Sequence, residues 1–192
     1  MFGKTLLSLL LLIATTTMLW AEEVTGVSVP LKGKAQIVFM RPVMFGGAIK
    51  SAVFDVTSDE NKVIGAMRGK NKFVHIVDPG EYTFMVIGRN ADFMKAKVEA
   101  GKTYYVLVQV RMGMWKARFT LVPIRKAELD GEEFKKWNRK ARLIEMNQGE
   151  LDVWAEKHMK DIQAKREKFF VIWNKKADVA KKRYIMHADD GR

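Results

Sequence analysis

Apolar and polar residues alternate along most of the first two thirds of this chain, from Ala35 to Pro123. Residues two apart point to the same side of a β-strand, so the alternation predicts short strands, each with one apolar face. The segments between them are rich in Gly, Pro, Asn, Asp and Ser, which favour turns. We predict these strands: Ala35–Arg41, Ile49–Thr57, Lys62–Met67, Lys72–Val77, Tyr82–Arg89, Met94–Glu99, Thr103–Met112 and Trp115–Val122.

The spacing of these strands indicates how they pack. Short strands that recur about every eight to twelve residues are typical of two antiparallel sheets packed face to face, and a closed barrel is the main alternative. In the seventh predicted strand Tyr104, Val106 and Val108 share one face, while Gln109 and Arg111 lie on the other. We therefore predict a mainly β protein, an antiparallel β-sandwich in which one face of each sheet forms the core and the other meets water.

After Pro123 the alternation stops and long-chain helix formers dominate, which predicts a basic helical tail over residues 126–192. Apolar residues recur there at helical spacings of three and four, first at Phe134, Trp137, Ala141 and Ile144. This first helix is predicted to end near Gly149. A second helix over Glu150–Arg183 would be about 50 Å long at about 1.5 Å per residue, so we expect a kink or a fold-back within it.

The first residues have the pattern of an export signal. Lys4 is followed by an apolar run over Leu6–Ala14, and Ala21 precedes an acidic pair. The run is too short to span a bilayer, which takes about 20 apolar residues, so we predict a signal peptide that is removed after Ala21. The prediction implies a periplasmic protein with no transmembrane segment after cleavage, divided into a lead-in over residues 22–33, a β-domain over residues 34–125 and the tail.

The chain contains no cysteine. This excludes disulfides, catalysis by a thiol, metal sites with thiolate ligands, and the lipid-bearing cysteine of bacterial lipoproteins.

Since the β-domain and the tail have different sequence patterns, we also expect a chain truncated after Arg125 to keep a folded β-domain.

Three strings resemble one known family: Arg41-Pro42, Asp78-Pro79-Gly80-Glu81-Tyr82-Thr83, and Ala100-Gly101-Lys102-Thr103-Tyr104-Tyr105-Val106. The region Lys34–Arg125 resembles the exported bacterial β-domain called domain of unknown function 2846, which is often carried by lipoproteins. The resemblance implies a β-sandwich with a transthyretin-like layout and a place in the cell envelope. It implies no reaction, because that family has no settled activity to carry over, and this chain lacks the acylated cysteine.

A search for catalytic and metal-binding patterns gives no site, so we predict no catalytic residue, no metal and no cofactor. His75, His158 and His187 are too far apart in sequence to form a paired-histidine motif. An acidic cluster from Asp55 to Asn61 lacks the glycine and terminal glutamate of a calcium-binding loop, so a hairpin turn explains it better. No serine lies in the nucleophile-elbow pattern of a hydrolase.

The tail carries several large aromatic residues for a segment so rich in charge, and we predict that they form an interaction surface: Trp137, Trp154, Phe169, Trp173 and Tyr184. Burying each of them would contribute roughly 2 to 3 kcal/mol, so they need a partner surface. Either the helices pack against each other or on the sandwich, or the aromatic residues dock on another protein or a second copy of the chain.

The formal net charge of +12 favours anionic partners. Acidic residues are interleaved with the basic clusters of the tail, so a solvated helix face of mixed charge explains these clusters better than a nucleic-acid groove. The partners that we expect are an envelope protein, an anionic envelope polymer or lipid head groups. We therefore predict a non-enzymatic, envelope-associated binding or scaffold module of unknown ligand. The alternative is a structural module that forms homo-oligomers through its helical tail.

Overall fold

The computed structural model describes residues 26–43, 47–112 and 117–192, which form a mainly β fold with a long helix near its C-terminal end. The strands are β1 (Ala35–Arg41), β2 (Ser51–Asp55), β3 (Lys62–Met67), β4 (Asn71–Val77), β5 (Gly80–Ile87), β6 (Ala91–Val98), β7 (Thr103–Met112), β8 (Ala117–Pro123), β9 (Arg142–Leu143) and β10 (Ile185–Met186). The helices are α1 (Glu132–Lys140), α2 (Gln148–Asn174) and α3 (Asp178–Lys181), with 3₁₀ turns at Lys126–Glu128, Lys182–Tyr184 and Ala188–Asp190. The predicted signal peptide, residues 1–21, lies outside the described residues.

The strands form two five-stranded sheets, ordered β8-β7-β1-β4-β9 and β10-β6-β5-β2-β3. Each predicted strand overlaps an observed one, so the prediction of a mainly β fold with a helical extension is confirmed. The prediction of purely antiparallel sheets is wrong, because β1 pairs with β7, β4 with β9, and β6 with β10 in parallel. β7 lies beside β1 and runs in the same direction, although β4 and four strands of the second sheet come between them in sequence.

One apolar core lies between the two sheets. Phe39 of β1 stacks on Phe73 of β4, with ring centroids 5.2 Å apart, and meets Phe84 of β5 edge to face at 5.4 Å. The Phe73 ring needs a glycine opposite it, because a Cβ at Gly65 would lie 2.4 Å from its Cζ atom. The absence of a side chain at this position therefore permits close packing of the two sheets.

The outer faces of both sheets are also covered, so the fold has four layers. On the second sheet, α2 buries Ile162 and Trp173 against Phe54 and other apolar residues. On the first sheet, Tyr105 packs edge to face on Phe134 of α1, with ring centroids 4.8 Å apart. The prediction of water-facing outer surfaces is wrong here, because the strands also place apolar residues on their outer faces.

Hydrogen bonds between segments set the boundaries of the tail helices. Arg142 and Ile144 donate their backbone N–H groups to the carbonyls of Lys70 and Lys72, each at 2.9 Å. The chain is therefore extended after α1, and β9 joins the edge of the first sheet beside β4. The first helix therefore ends before Ile144, not near Gly149 as predicted. Sheet hydrogen bonds outweigh the helical preference of these residues.

The chain folds back after α2, and residues 182–192, here called the closing segment, return to the sheets. Arg125 holds this segment by donating to the carbonyls of Lys182 and Ile185 at 3.0 and 2.7 Å, and to the carboxylate of Asp190 at 2.7 Å. The backbones of Arg192 and Thr103 exchange two hydrogen bonds, of 2.8 and 3.2 Å.

Within the described residues, no helix carries an apolar stretch of the length that a bilayer crossing requires.

Candidate functional site

The aromatic residues that the sequence singles out lie in two places, and both are inside the chain. Trp173 and Tyr184 are only 2% and 7% exposed, and their rings meet with centroids 5.5 Å apart. Trp154 and Phe169 are half-buried on the same outer face of the second sheet, with Phe169 near Trp173 and Trp154 towards the other end of α2, against Phe54. Trp137 packs on the opposite side of the protein, with the residues around α1. The five residues thus do not form one surface.

The histidines also lie apart. His75 is largely enclosed between the sheets, where its ring meets Phe84 edge to face at 6.3 Å. His158 stacks on Trp154, with ring centroids 4.9 Å apart, and His187 precedes the last 3₁₀ turn. In the ranges that the structure describes, no group of three or more histidine or acidic side chains is placed to hold a metal ion.

The acidic cluster between β2 and β3 is a turn closed by a guanidinium group. Arg166 of α2 donates to the carbonyl oxygens of Ser58 and Asp59, both at 2.7 Å, and to the side-chain oxygen of Asn61 at 3.1 Å. Asp55 accepts a hydrogen bond from the backbone of Thr57 at 2.9 Å, as is typical of an Asx turn. Arg166 therefore attaches α2 to the second sheet through the oxygen atoms of this turn.

Burial of His75 makes the stability of the protein depend on pH. Desolvation lowers its pKa from 6.5 to about 4, while Asp55 raises the pKa and Lys62 lowers it to a smaller extent. Between these values the unfolded chain binds a proton that the folded chain does not, so stability falls as the pH drops from about 6.5 towards 4. We expect this histidine to account for a loss of at most about 3 kcal/mol, measured by urea unfolding.

The matched variant for this prediction is His75→Gln, which cannot titrate. Carboxylates also titrate in this range, so the informative quantity is the difference between the two pH profiles. The profile of the variant should be shallower between pH 6.5 and 4. Parallel profiles would show that the histidine is not responsible.

An open groove of about 750 Å³ lies where three parts of the fold meet. One wall comes from Arg111 of β7 and Arg118 of β8, and a second from the turn between β5 and β6, which supplies Arg89. The third wall is the C-terminal end of α2, with Ile172 and Trp173. We call this feature the arginine groove.

The arginine groove is strongly basic. It is lined by Arg89, Arg111, Arg118 and Lys176 against a single carboxylate, Asp92, a net formal charge of +3. That carboxylate is already engaged, because Lys176 pairs with it at 3.2 Å and Thr120 donates its hydroxyl to it. The Lys176 ammonium also lies 4.6 Å from the centre of the Trp173 ring, in a cation–π contact. The three guanidinium groups carry the charge that remains.

Two of these guanidinium groups belong to residues that lie directly opposite each other. Arg111 and Arg118 are partners in the antiparallel pairing of β7 with β8, and both are exposed. Like charges at directly opposed positions destabilise a sheet. Among the described residues, no carboxylate forms an ion pair with Arg89, Arg111 or Arg118. The arrangement is one that an anion would stabilise.

A second cleft, of about 810 Å³, lies beside α1 but has a more balanced charge. Its lysines, Lys70, Lys136 and Lys140, face Glu132 and Glu133, a net formal charge of +1. The arginine groove is therefore the stronger candidate for an anionic ligand. The predicted strands place Arg111 and Arg118 on either side of one turn, but no pattern along the chain predicts the groove itself. No family model matches this chain, and no curated protein is significantly similar to it.

Proposed function

We propose that this protein is a non-enzymatic binding module of the cell envelope that holds an anionic ligand in the arginine groove. The observation that carries the proposal is the pair Arg111 and Arg118, two opposed arginines without a carboxylate partner in the described chain. Guanidinium groups bind oxyanions through paired hydrogen bonds, so a bound anion would relieve the repulsion between them.

The composition of the groove supports binding over catalysis. None of the histidines lines it, and its carboxylate, Asp92, is held by Lys176 and Thr120. A general base needs a free lone pair directed at the proton that it removes. The described lining of the groove thus offers charge and apolar surface, and its one carboxylate is already engaged.

The proposed location in the cell envelope rests on the sequence. The export signal over residues 1–21 and the resemblance of residues 34–125 to an exported β-domain both support a periplasmic location. The two facing sheets are compatible with a sandwich, and the transthyretin-like layout that the resemblance implies is part of the proposal. Net charge alone favours an anionic envelope polymer or an envelope protein with an acidic surface as the partner, whereas the single groove has room for one anionic group.

The test uses inorganic phosphate as the probe. At constant ionic strength, about 20 mM phosphate should raise the free energy of unfolding of the wild-type protein more than chloride does, because a ligand that binds only the folded state stabilises it. The double variant Arg111→Gln, Arg118→Gln should lose the specific part of this stabilisation. The variant also controls for the general stabilising effect of phosphate, which is independent of any site.

A matched control removes the same charge elsewhere. Lys157→Gln, Lys160→Gln changes two exposed lysines of α2, far along the helix from the groove. This variant should respond to phosphate as the wild type does. An equal response of all three proteins would contradict the proposed anion site.

The second candidate function is homo-oligomerisation through the tail. It is favoured by exposed apolar residues near the end of α2, where Val171 and Ile172 are 54% and 50% exposed and Val179 follows at 75%. Light scattering of the wild type and of Val171→Glu separates the two functions. A dimer that the substitution dissociates supports assembly through this face of the tail, and a monomer in both proteins contradicts it.

A further inference from the structure

The arginine groove combines positive charge with apolar surface, and the combination restricts the chemistry of its ligand. On one side are the guanidinium groups of Arg89, Arg111 and Arg118. On the other is the end of α2, where Ile172 is half exposed and Phe169 is half-buried. We propose that the ligand is a phosphate monoester with an apolar or aromatic group, an inference that rests on the proposed function.

The number of arginines favours phosphate over carboxylate. One guanidinium can satisfy both oxygens of a carboxylate through two parallel hydrogen bonds. Three guanidinium groups offer more donors and more charge than one carboxylate can use. A phosphate monoester has three terminal oxygens and nearly two negative charges at neutral pH, so it can accept from several guanidinium groups at once.

Asp92 directs the anion towards the arginines. Its side chain is 15% exposed and is already engaged by Lys176 and Thr120. A carboxylate repels an anion, whereas Arg111 and Arg118 have no ion pair among the described residues and are left to bind it. The apolar part of the ligand is then left to contact Ile172 and Phe169.

The extent of the charge favours a small ligand over a long polyanion. The three arginines of the groove lie together in one place, while the exposed side of α2 mixes Lys157 and Lys160 with Glu156 and Glu167. A protein that follows a nucleic acid needs a continuous basic track along its surface. The described surface of the helix breaks such a track, so a monomeric ligand fits better.

Calorimetric titration with phenyl phosphate and with inorganic phosphate, at one ionic strength, tests the inference. We expect phenyl phosphate to bind at least about tenfold more tightly, because its ring removes apolar surface of the groove from water. Arg111→Gln, Arg118→Gln should weaken both ligands at least about tenfold. Ile172→Ser should weaken phenyl phosphate about threefold to tenfold and leave inorganic phosphate unchanged. The control Lys157→Gln, Lys160→Gln should leave both affinities within about twofold.

The outcomes separate this inference from the proposed function. If inorganic phosphate binds through the arginines and phenyl phosphate binds no more tightly, the anion site stands and the inference is overturned. If neither ligand binds, both are overturned. If phenyl phosphate binds more tightly but Ile172→Ser has no effect, the apolar contact lies elsewhere and the inference is again overturned.

A lipid head group and a small compound could both supply this chemistry, and sedimentation with vesicles distinguishes them. The vesicles contain phosphatidylcholine with or without phosphatidate, which is itself a phosphate monoester. Arginine-dependent sedimentation with phosphatidate supports a lipid source. Binding of phenyl phosphate without sedimentation supports a small compound. Sedimentation without any binding of phenyl phosphate would make the protein a membrane-surface binder and overturn the inference.

Discussion

Truncation after Arg125 is expected to abolish cooperative folding, the opposite of what the sequence predicts. The removed residues include Leu151, Ile162 and Trp173, which are buried against the outer face of the second sheet. Each large buried side chain contributes roughly 2 to 3 kcal/mol, while a whole domain is stable by only about 5 to 15 kcal/mol. The truncated protein should therefore show no sigmoidal urea transition and should elute as aggregate.

A point variant measures the same contribution without removing the tail. Trp173→Ala should reduce the free energy of unfolding by about 3 to 5 kcal/mol, because its side chain is 2% exposed. The control Val171→Ala, at a residue that is 54% exposed, should change the free energy of unfolding by less than about 0.5 kcal/mol.

One result of the truncation experiment would contradict our expectation. If the chain truncated after Arg125 unfolds with a cooperative transition like that of the full chain, the β-domain folds alone.

Gly65→Ala is expected to destabilise the protein by about 3 kcal/mol, a large effect for one methyl group. The added Cβ would lie 2.4 Å from the Phe73 ring, which is fully buried and stacked on Phe39. Neither ring has free space into which it could move, so the two sheets would have to separate locally. Urea unfolding measures the change.

Two further variants test the explanation. Gly149→Ala, in the first turn of α2, has no neighbour closer than 3.6 Å and should raise stability by up to about 1 kcal/mol. Adding Phe73→Leu to Gly65→Ala should recover part of the loss, because the smaller side chain vacates the space that the new methyl group needs. A double variant that is as unstable as the sum of its parts would contradict the steric cause.

The strands could be predicted from sequence because their pattern is local. Period-two alternation and turn residues identify β1 to β8, with boundaries within a few residues of those observed. The two-residue strands β9 and β10 have no pattern of their own, and each exists because a distant strand offers hydrogen-bonding groups at its edge. The parallel pairing of β1 with β7 is likewise a property of the whole topology, which no window of sequence contains.

The candidate site could be predicted only in part, for a related reason. The aromatic residues of the tail stood out by composition, and composition does not say on which side of the protein each one lies. Arg111 and Arg118 lie on two successive predicted strands, but their direct pairing depends on the register between β7 and β8, which the alternation within each strand does not determine. Ile172 lines their groove because of the position of α2 on the second sheet. That position depends on the packing of the whole outer face of this sheet, which no short window of sequence contains.

The return of β10 to the edge of β6 has a consequence for how the protein is made. During synthesis, β6 (Ala91–Val98) emerges well before its partner β10 (Ile185–Met186). At about 5 to 20 residues per second, the intervening chain takes roughly 5 to 20 seconds to synthesise. During that interval this edge of the nascent sheet presents unpaired N–H and C=O groups that can pair with strands of other chains. A chaperone bound to the chain during this interval would shield the stretch around Lys95 and Ala96 until β10 pairs with it.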